Sequence, residues 1–232
     1  MKLGIISDLH LDHNDSYDFK KILSNPELDC LIIAGDISQD KDTLLELMSD
    51  LEEINKLTLV VLGNHDYYNS LRVSDTIEQY QKEFQRFKNV KFLNNSGYIL
   101  DDYKICGTTG WYPGSFNHNT AYPDFRAISL FEFNRQLHYN KAYNFLYSNQ
   151  SENTIFVTHH VPYDFLIDSE LLLDERSRFY LMKLPKILKC KMWIFGHSHM
   201  TMDREINRIR YVNNPFGYYY ENIENELKII EI

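Results

Sequence analysis

Five short apolar runs, at residues 3–6, 30–34, 57–62, 155–158 and 192–195, are each followed within two residues by Asp, Asn or His. Runs this short do not make buried helices; they suit strands covered on both faces. Between them, residues 42–54 and 73–87 carry helical spacing, 131–147 reads as a further helix, and 15–23 as a weaker one ended by Asn25-Pro26. Strands alternating with helices specify an α/β sheet. In open sheets of that kind, ligands bind in the crevice beyond the carboxyl ends of the strands. The polar residues that follow the runs are therefore placed to meet at one rim. Strand-like pieces at 208–212 and 227–232 are expected as antiparallel additions. Residues 111–125, with Pro113, Gly114 and Pro123, read as a long irregular loop, and such loops are often functional. At 232 residues the chain fits one domain, 1–232, with a substantial core.

The residues at the run ends fall into five blocks: Asp8-Leu9-His10, Gly35-Asp36, Gly63-Asn64-His65-Asp66, Thr158-His159-His160-Val161-Pro162 and Gly196-His197-Ser198-His199. Imidazole, carboxylate and carboxamide oxygen together are the ligand set of a borderline divalent metal site, and the count suits two ions. Manganese, iron, zinc, cobalt or nickel would be accepted. Asp8 and His10 are two apart and share a side on extended backbone, as do His197 and His199. Asn64 and His65 are adjacent and point apart, so one suits the metal and the other the substrate. For the same reason one of His159 and His160 is expected to ligate. Asp36 has two oxygens and can bridge two cations. Asp66 reads as an acceptor for nearby backbone N–H groups. His13, His118 and His138 read as surface or loop histidines.

Composition sets the surroundings. The formal net charge is −9, so the chain repels a long polyanion and nucleic acid is a poor partner. A small phosphate ester bound locally by cations escapes that objection. The densest basic cluster, Lys183, Lys186, Lys189 and Lys191, reads as a solvated helix face. Cys30, Cys106 and Cys190 share no metal-type spacing and adjoin apolar runs, which predicts buried free thiols in a reducing compartment. No stretch approaches the ~20 apolar residues of a membrane span, and the first run is too short for a secretory leader. A cytoplasmic protein with no membrane partner is expected; the oligomeric state is left open.

Taken in order, Asp8-x-His10, Gly35-Asp36, Gly63-Asn64-His65-Asp66, His159-His160-x-Pro162 and Gly196-His197-x-His199 resemble the five blocks of the calcineurin-like metallophosphoesterase superfamily, its small bacterial-type members in particular. The resemblance runs from residue 8 to 199. It implies a four-layer α/β/β/α sandwich with a dinuclear metal site at the C-terminal ends of the strands. Carried over block by block, it implies that Asp8, His10 and His199 hold a first ion, that Asn64, His159 and His197 hold a second, and that Asp36 bridges. The implied reaction is hydrolysis of a phosphomonoester or phosphodiester by a bridging hydroxide between two divalent metals. His65 would be the catalytic proton donor. A nuclease of the same superfamily and a non-catalytic metal-binding scaffold are the alternatives.

Departures narrow the field. Protein Ser/Thr phosphatases of the superfamily carry Gly-Asp-x-x-Asp-Arg-Gly at the second block. Residues 35–41 lack that Arg-Gly, which points away from protein dephosphorylation. Phe216, in Asn214-Pro215-Phe216-Gly217-Tyr218, stands where bacterial-type relatives often have arginine. Asp124-Phe125-Arg126-x-Ile128 resembles a segment those relatives place between the third and fourth blocks. Arg126 is the candidate to grip a phosphate, and His160 the candidate to touch substrate from beside the metal histidines. The run Tyr218-Tyr219-Tyr220 could stack on a base, although packing and surface exposure explain it at least as well, and Trp111-Tyr112 either pack or lie in a loop that roofs the site.

Overall fold

Alternate residues of the central strands face two different cores in the computed structural model, which describes residues 1–114, 122–129, 131–221, 223 and 226–232. The strands are β1 (Lys2–Ile6), β2 (Cys30–Ala34), β3 (Thr58–Val61), β4 (Val90–Phe92), β5 (Ser96–Leu100), β6 (Tyr103–Thr108), β7 (Thr154–Thr158), β8 (Met192–Phe195), β9 (Met202–Ile206), β10 (Ile209–Asn213) and β11 (Lys228–Glu231). The helices are α1 (Phe19–Leu23), α2 (Lys41–Ile54), α3 (Val73–Glu83), α4 (Pro123–Ala127), α5 (Phe131–Ser148) and α6 (Ser169–Leu173).

One sheet has the order β11-β1-β2-β3-β4 and the other β5-β6-β7-β8-β10-β9. Leu3, Ile5, Ile32 and Val61 of the first meet Ile155, Val157 and Ile194 of the second in a core between the sheets. The intervening residues turn outwards, as the period of two in a strand requires. Leu31, Ile33 and Val60 pack with Leu44, Met48 and Leu51 of α2 and with Val73 and Ile77 of α3. Phe156, Trp193 and Phe195 pack with Ala142 and Leu146 of α5. Sheets back to back with helices on both outer faces make the four-layer α/β/β/α sandwich.

The pairs β1–β2 and β2–β3, and β6–β7, β7–β8 and β8–β10, are parallel. The carboxyl ends of the strands that precede the five blocks therefore open onto one rim. α2 illustrates how a helix is fixed locally. Asp40 caps it by accepting from the Thr43 N–H at 2.9 Å, and Leu44, Leu47, Met48 and Leu51 form its buried stripe.

Several expectations need correction. β11 is antiparallel to β1, as expected, but β10 runs parallel to β8, and it is β9 that adds antiparallel. The irregular loop at 111–125 is interrupted by α4, and residues 115–121 lie outside the described ones. The lysines at 183, 186, 189 and 191 are exposed, yet the segment is irregular rather than helical. His138 is not on the surface: α5 carries it into the interior at 8% exposure. His118 falls outside the described residues. Cys30, Cys106 and Cys190 are buried and free. Among the described residues no helix is long and apolar enough to cross a membrane.

Candidate metal centre

The chain leaves β1, β2 and β8 through a backbone conformation that L-residues seldom adopt. Asp8, His10, Asp36, His197 and His199 all have φ between 43° and 68°. This left-handed region is uncommon for residues other than glycine and collects at functional sites. It also corrects the reason for the Asp8/His10 and His197/His199 pairs. Strand alternation does not align them, because neither pair is extended; left-handed turns beyond β1 and β8 do. The turns interlock: Asp8 N–H donates to Gly35 O at 2.9 Å, His10 N–H to Asp36 O at 3.0 Å, and His197 N–H to the Asp8 carboxylate at 2.9 Å. Gly63 is demanded by crowding, since a Cβ there would collide with the Asp36 carboxylate.

The seven ligand candidates converge. Nε2 of His10 lies 3.2 Å from Nε2 of His199, which is 3.4 Å from Asp8 Oδ1. On the other side, Nε2 of His159 lies 3.0 Å from Asn64 Oδ1 and 3.1 Å from His197 Nδ1. Between the groups, Oδ2 of Asp36 is 3.3 Å from His159 Nε2 and 3.9 Å from His10 Nε2. Ligands about 2.1 Å from a shared cation and at right angles stand about 3 Å apart, so this spacing fits metal. Imidazole nitrogens face one another at such distances, His10 Nε2 with His199 Nε2 and His159 Nε2 with His197 Nδ1. A donor set of this kind suits divalent cations.

Charge in the ion-free fold points the same way. Burial pushes the Asp36 carboxyl up, but His159, His65 and His10 outweigh it and hold the group well below the usual carboxylate range. Burial would lower His159 and His199, yet Asp36 raises the first to about 9 and Asp8 the second to about 10. Both imidazoles thus favour the charged form where a cation would otherwise balance the carboxylates. Burial depresses His10 to about 4 despite Asp36. Asp66 is raised to about 7 by burial and by Asp36. It accepts from the N–H groups of Ile37, Ser38 and Gly63 at 2.8–2.9 Å, tying the second block to the third as expected.

A cavity of about 480 Å³ opens over these groups, lined among others by His65, Tyr68, Tyr122, Arg176, Tyr180 and Tyr218. His65 is half-buried; its ring stacks on Tyr68 at 4.4 Å, and its backbone N–H donates to Asp36 Oδ1 at 2.8 Å. The other two candidates lie elsewhere. Arg126 is exposed on α4 and is not in the cavity lining. His160 is fully buried, its ring 4.4 Å from that of His197 and its Nδ1 3.2 Å from Thr109 O. Phe216 faces the outer core, against Phe19 and Tyr17, and not the cavity.

Sequence reasoning missed three groups here. Arg176, on the cavity wall, is anchored by Asp174 at 2.8 Å through Nε. Asp124, fully buried, accepts from Asn64 Nδ2 at 2.9 Å, Tyr68 OH at 2.8 Å and Tyr112 OH at 2.9 Å. Burial pushes its carboxyl up and the three donors oppose that. Glu221 accepts from His199 Nδ1 at 2.7 Å and from Tyr218 N–H at 2.8 Å. Of these only Asp124 had a signal, its place in the Asp124-Phe125-Arg126 segment. Arg176 stands in a short 3-10 helix, Glu175–Phe179, and Glu221 in irregular chain, with no sequence pattern around either.

The sequence pattern of the calcineurin-like phosphoesterase family matches residues 1–201. The chain belongs to this family. Membership brings metal-dependent phosphoester hydrolysis as the general activity. Relatives of this calcineurin-like phosphoesterase include the uncharacterized protein L509 of Acanthamoeba polyphaga mimivirus, 26% identical over 257 residues that take in 94% of this chain and 92% of the viral one. Among solved structures, the phosphopantetheinyl hydrolase of Mycobacterium tuberculosis superposes with a TM-score of 0.75 at 16% identity, over 99% of this chain and 95% of its own. The protein TT1561 of Thermus thermophilus superposes with a TM-score of 0.58 at 11% identity, over 99% and 98%. At these identities the likeness is one of fold. Tyr218 and Glu221 lie beyond the family match.

Proposed function

We propose that this calcineurin-like phosphoesterase hydrolyses a small phosphate ester using two divalent ions. Asp8, His10 and His199 would hold one, Asn64, His159 and His197 the other, and Asp36 both. The observation that carries this reading is the position of Asp36, whose Oδ2 stands between His159 Nε2 at 3.3 Å and His10 Nε2 at 3.9 Å. When bound, such ions supply an activated water and positive charge for phosphoryl oxygens.

The chain's own groups do the rest. His65 is the proton donor to the leaving oxygen. The Gln39 side-chain amide approaches its Nδ1 at 3.4 Å and helps hold the ring in orientation. Tyr68 braces that ring from one side. Asp66 fixes the turn that carries His65 through its bond to Gly63 N–H. The aromatic walls of the cavity, Tyr68, Tyr122, Tyr180 and Tyr218, exclude water from the ester and suit a compact organic group. Arg176, exposed at the cavity rim and paired with Asp174, is a cation that a second anionic group of the substrate could reach.

A nuclease reading is disfavoured by the net charge of −9, and a scaffold reading by the complete ligand set. The test is a panel of p-nitrophenyl phosphate, bis(p-nitrophenyl) phosphate, cyclic nucleotides and dinucleotides with protein loaded with manganese, zinc or cobalt. Turnover by wild type and its loss in Asp36→Asn are expected. Fewer than two ions per chain, with no hydrolysis of the activated esters, overturns the reading. Salt-sensitive affinity for DNA would favour the nuclease.

A further inference from the structure

Two carboxylates that touch no ligand-facing atom of the opposite group flank the centre, one on each side. Asp124 is fully buried, with its oxygens directed at Asn64 Nδ2, Tyr68 OH and Tyr112 OH. The Asn64 amide has two ends, and only the oxygen can bind a cation. Its Nδ2 is held by Asp124 at 2.9 Å and lies 3.1 Å from Tyr68 OH, which leaves Oδ1 facing His159 Nε2 at 3.0 Å. Rotating the amide would set its N–H groups against the metal position and its oxygen against a carboxylate. Glu221 does the corresponding work for an imidazole. Its Oε2 is 2.7 Å from His199 Nδ1, which anchors that nitrogen as the donor and turns Nε2 towards Asp8 and His10 as the atom an ion would take on displacing its proton. Glu221 is itself held: the same oxygen accepts from Tyr218 N–H, and Gly217, at φ 73°, passes so close that a Cβ would meet Oε2 at 2.7 Å.

We infer that Asp124 and Glu221 are positioning residues, one for each ion: Asp124 presents the Asn64 oxygen to the ion held with His159 and His197, and Glu221 presents the His199 nitrogen to the ion held with Asp8 and His10. The inference rests on the two-ion reading above. It makes the two variants separable, because each acts on a different ligand and the two contacts share no atom. It also assigns a task to a stretch of chain beyond the family match, since Glu221 follows residue 201.

The experiment is a titration of metal-stripped protein with manganese(II), following free manganese by its electron paramagnetic resonance signal. Circular dichroism at the same temperature verifies that each variant is folded. Wild type is expected to take up two ions. Glu221→Gln, which keeps shape and loses charge, is expected to weaken one binding step by about 10–100-fold and leave the other nearly unchanged. Asp124→Asn is expected to weaken the other step by a similar factor. In cobalt(II)-loaded protein the exchangeable Nδ1 proton of His199 gives a shifted proton resonance. Glu221→Gln should broaden or remove it, while Asp124→Asn leaves it in place. Should Asp124→Asn not fold, the exchanged pair Asn64→Asp with Asp124→Asn rebuilds an amide-to-carboxylate contact and is expected to bind two ions. Uptake of fewer than two ions by wild type overturns the two-ion reading and the inference with it. Uptake of two ions with Glu221→Gln indistinguishable from wild type, or with both variants weakening the same step, overturns the inference alone.

Discussion

The phenol ring of Tyr68 lies on the imidazole of His65, with centroids 4.4 Å apart and planes inclined by 30°. The stack leaves His65 on the cavity wall without tying it into the metal groups by a side-chain bond. His65→Ala is therefore expected to keep both ions and to lose about 10²–10⁴ in kcat on an ester with a poor leaving group. An activated p-nitrophenyl ester, which needs no proton on departure, should lose far less. Equal losses on both esters would remove His65 from proton transfer.

Among the described residues, Asp36 is the one carboxylate within 4 Å of a histidine nitrogen from each side. Asp36→Asn keeps one oxygen and loses the charge, so both ions should bind more weakly and turnover should fall at least about 100-fold. Metal binding also has to displace protons from His159 and His199, whose ion-free values are about 9 and about 10. Calorimetry in buffers of different ionisation enthalpy should show proton release at pH 7 and affinity rising with pH. Uptake without proton release would mean that these imidazoles are already neutral.

Phe216 packs edge-on against Phe19 at 4.7 Å, deep in the helix-covered core. An arginine at this position would have to bury its charge there or tear the segment out. Phe216→Arg is expected to cost about 3–5 kcal/mol, seen as a drop of about 10 °C in melting temperature. It should not tighten phosphate inhibition. Stable protein with improved phosphate affinity would show that the segment can swing its side chain into the cavity.

His138 supplies a pH dependence remote from the metal residues. Burial, with some help from Lys141, lowers it to about 4 from its ordinary 6.5. The fold thus prefers the neutral ring. Its contribution to stability is complete above about pH 6.5 and is lost as the pH falls towards 4. Urea unfolding at pH 7 and pH 5 should show a smaller loss for His138→Gln than for wild type. Equal losses would mean that the ring is already charged inside the fold.

The centre of the fold was legible because β1, β2, β3, β7 and β8 are buried on both faces, which forces continuous apolar runs onto the sequence. β9, with Asp203, Arg204 and Glu205 in succession, lies at an edge and is under no such demand. β5 is half-exposed throughout, and β4 is only three residues long. The ligand candidates were legible because donor chemistry restricts which side chains can serve. The route by which they converge was not, since left-handed backbone at Asp8 or His197 leaves no mark in composition. Arg126 and Arg176 make the same point: the sequence offered a reason to notice the first, and the fold puts the second on the cavity wall.

β1 is completed by β11, and the ligand candidates run from Asp8 to His199. On the two-ion reading, a nascent chain leaving the ribosome carries three of the four groups for one ion and two of the four for the other long before it carries the rest. Asp8, His10, Asp36 and Asn64 emerge with both edge strands of the first sheet, β4 and β11, still to come. On that reading neither ligand group is complete until His197 and His199 have emerged, so a choice between metals would belong to the folded molecule and not to the growing chain.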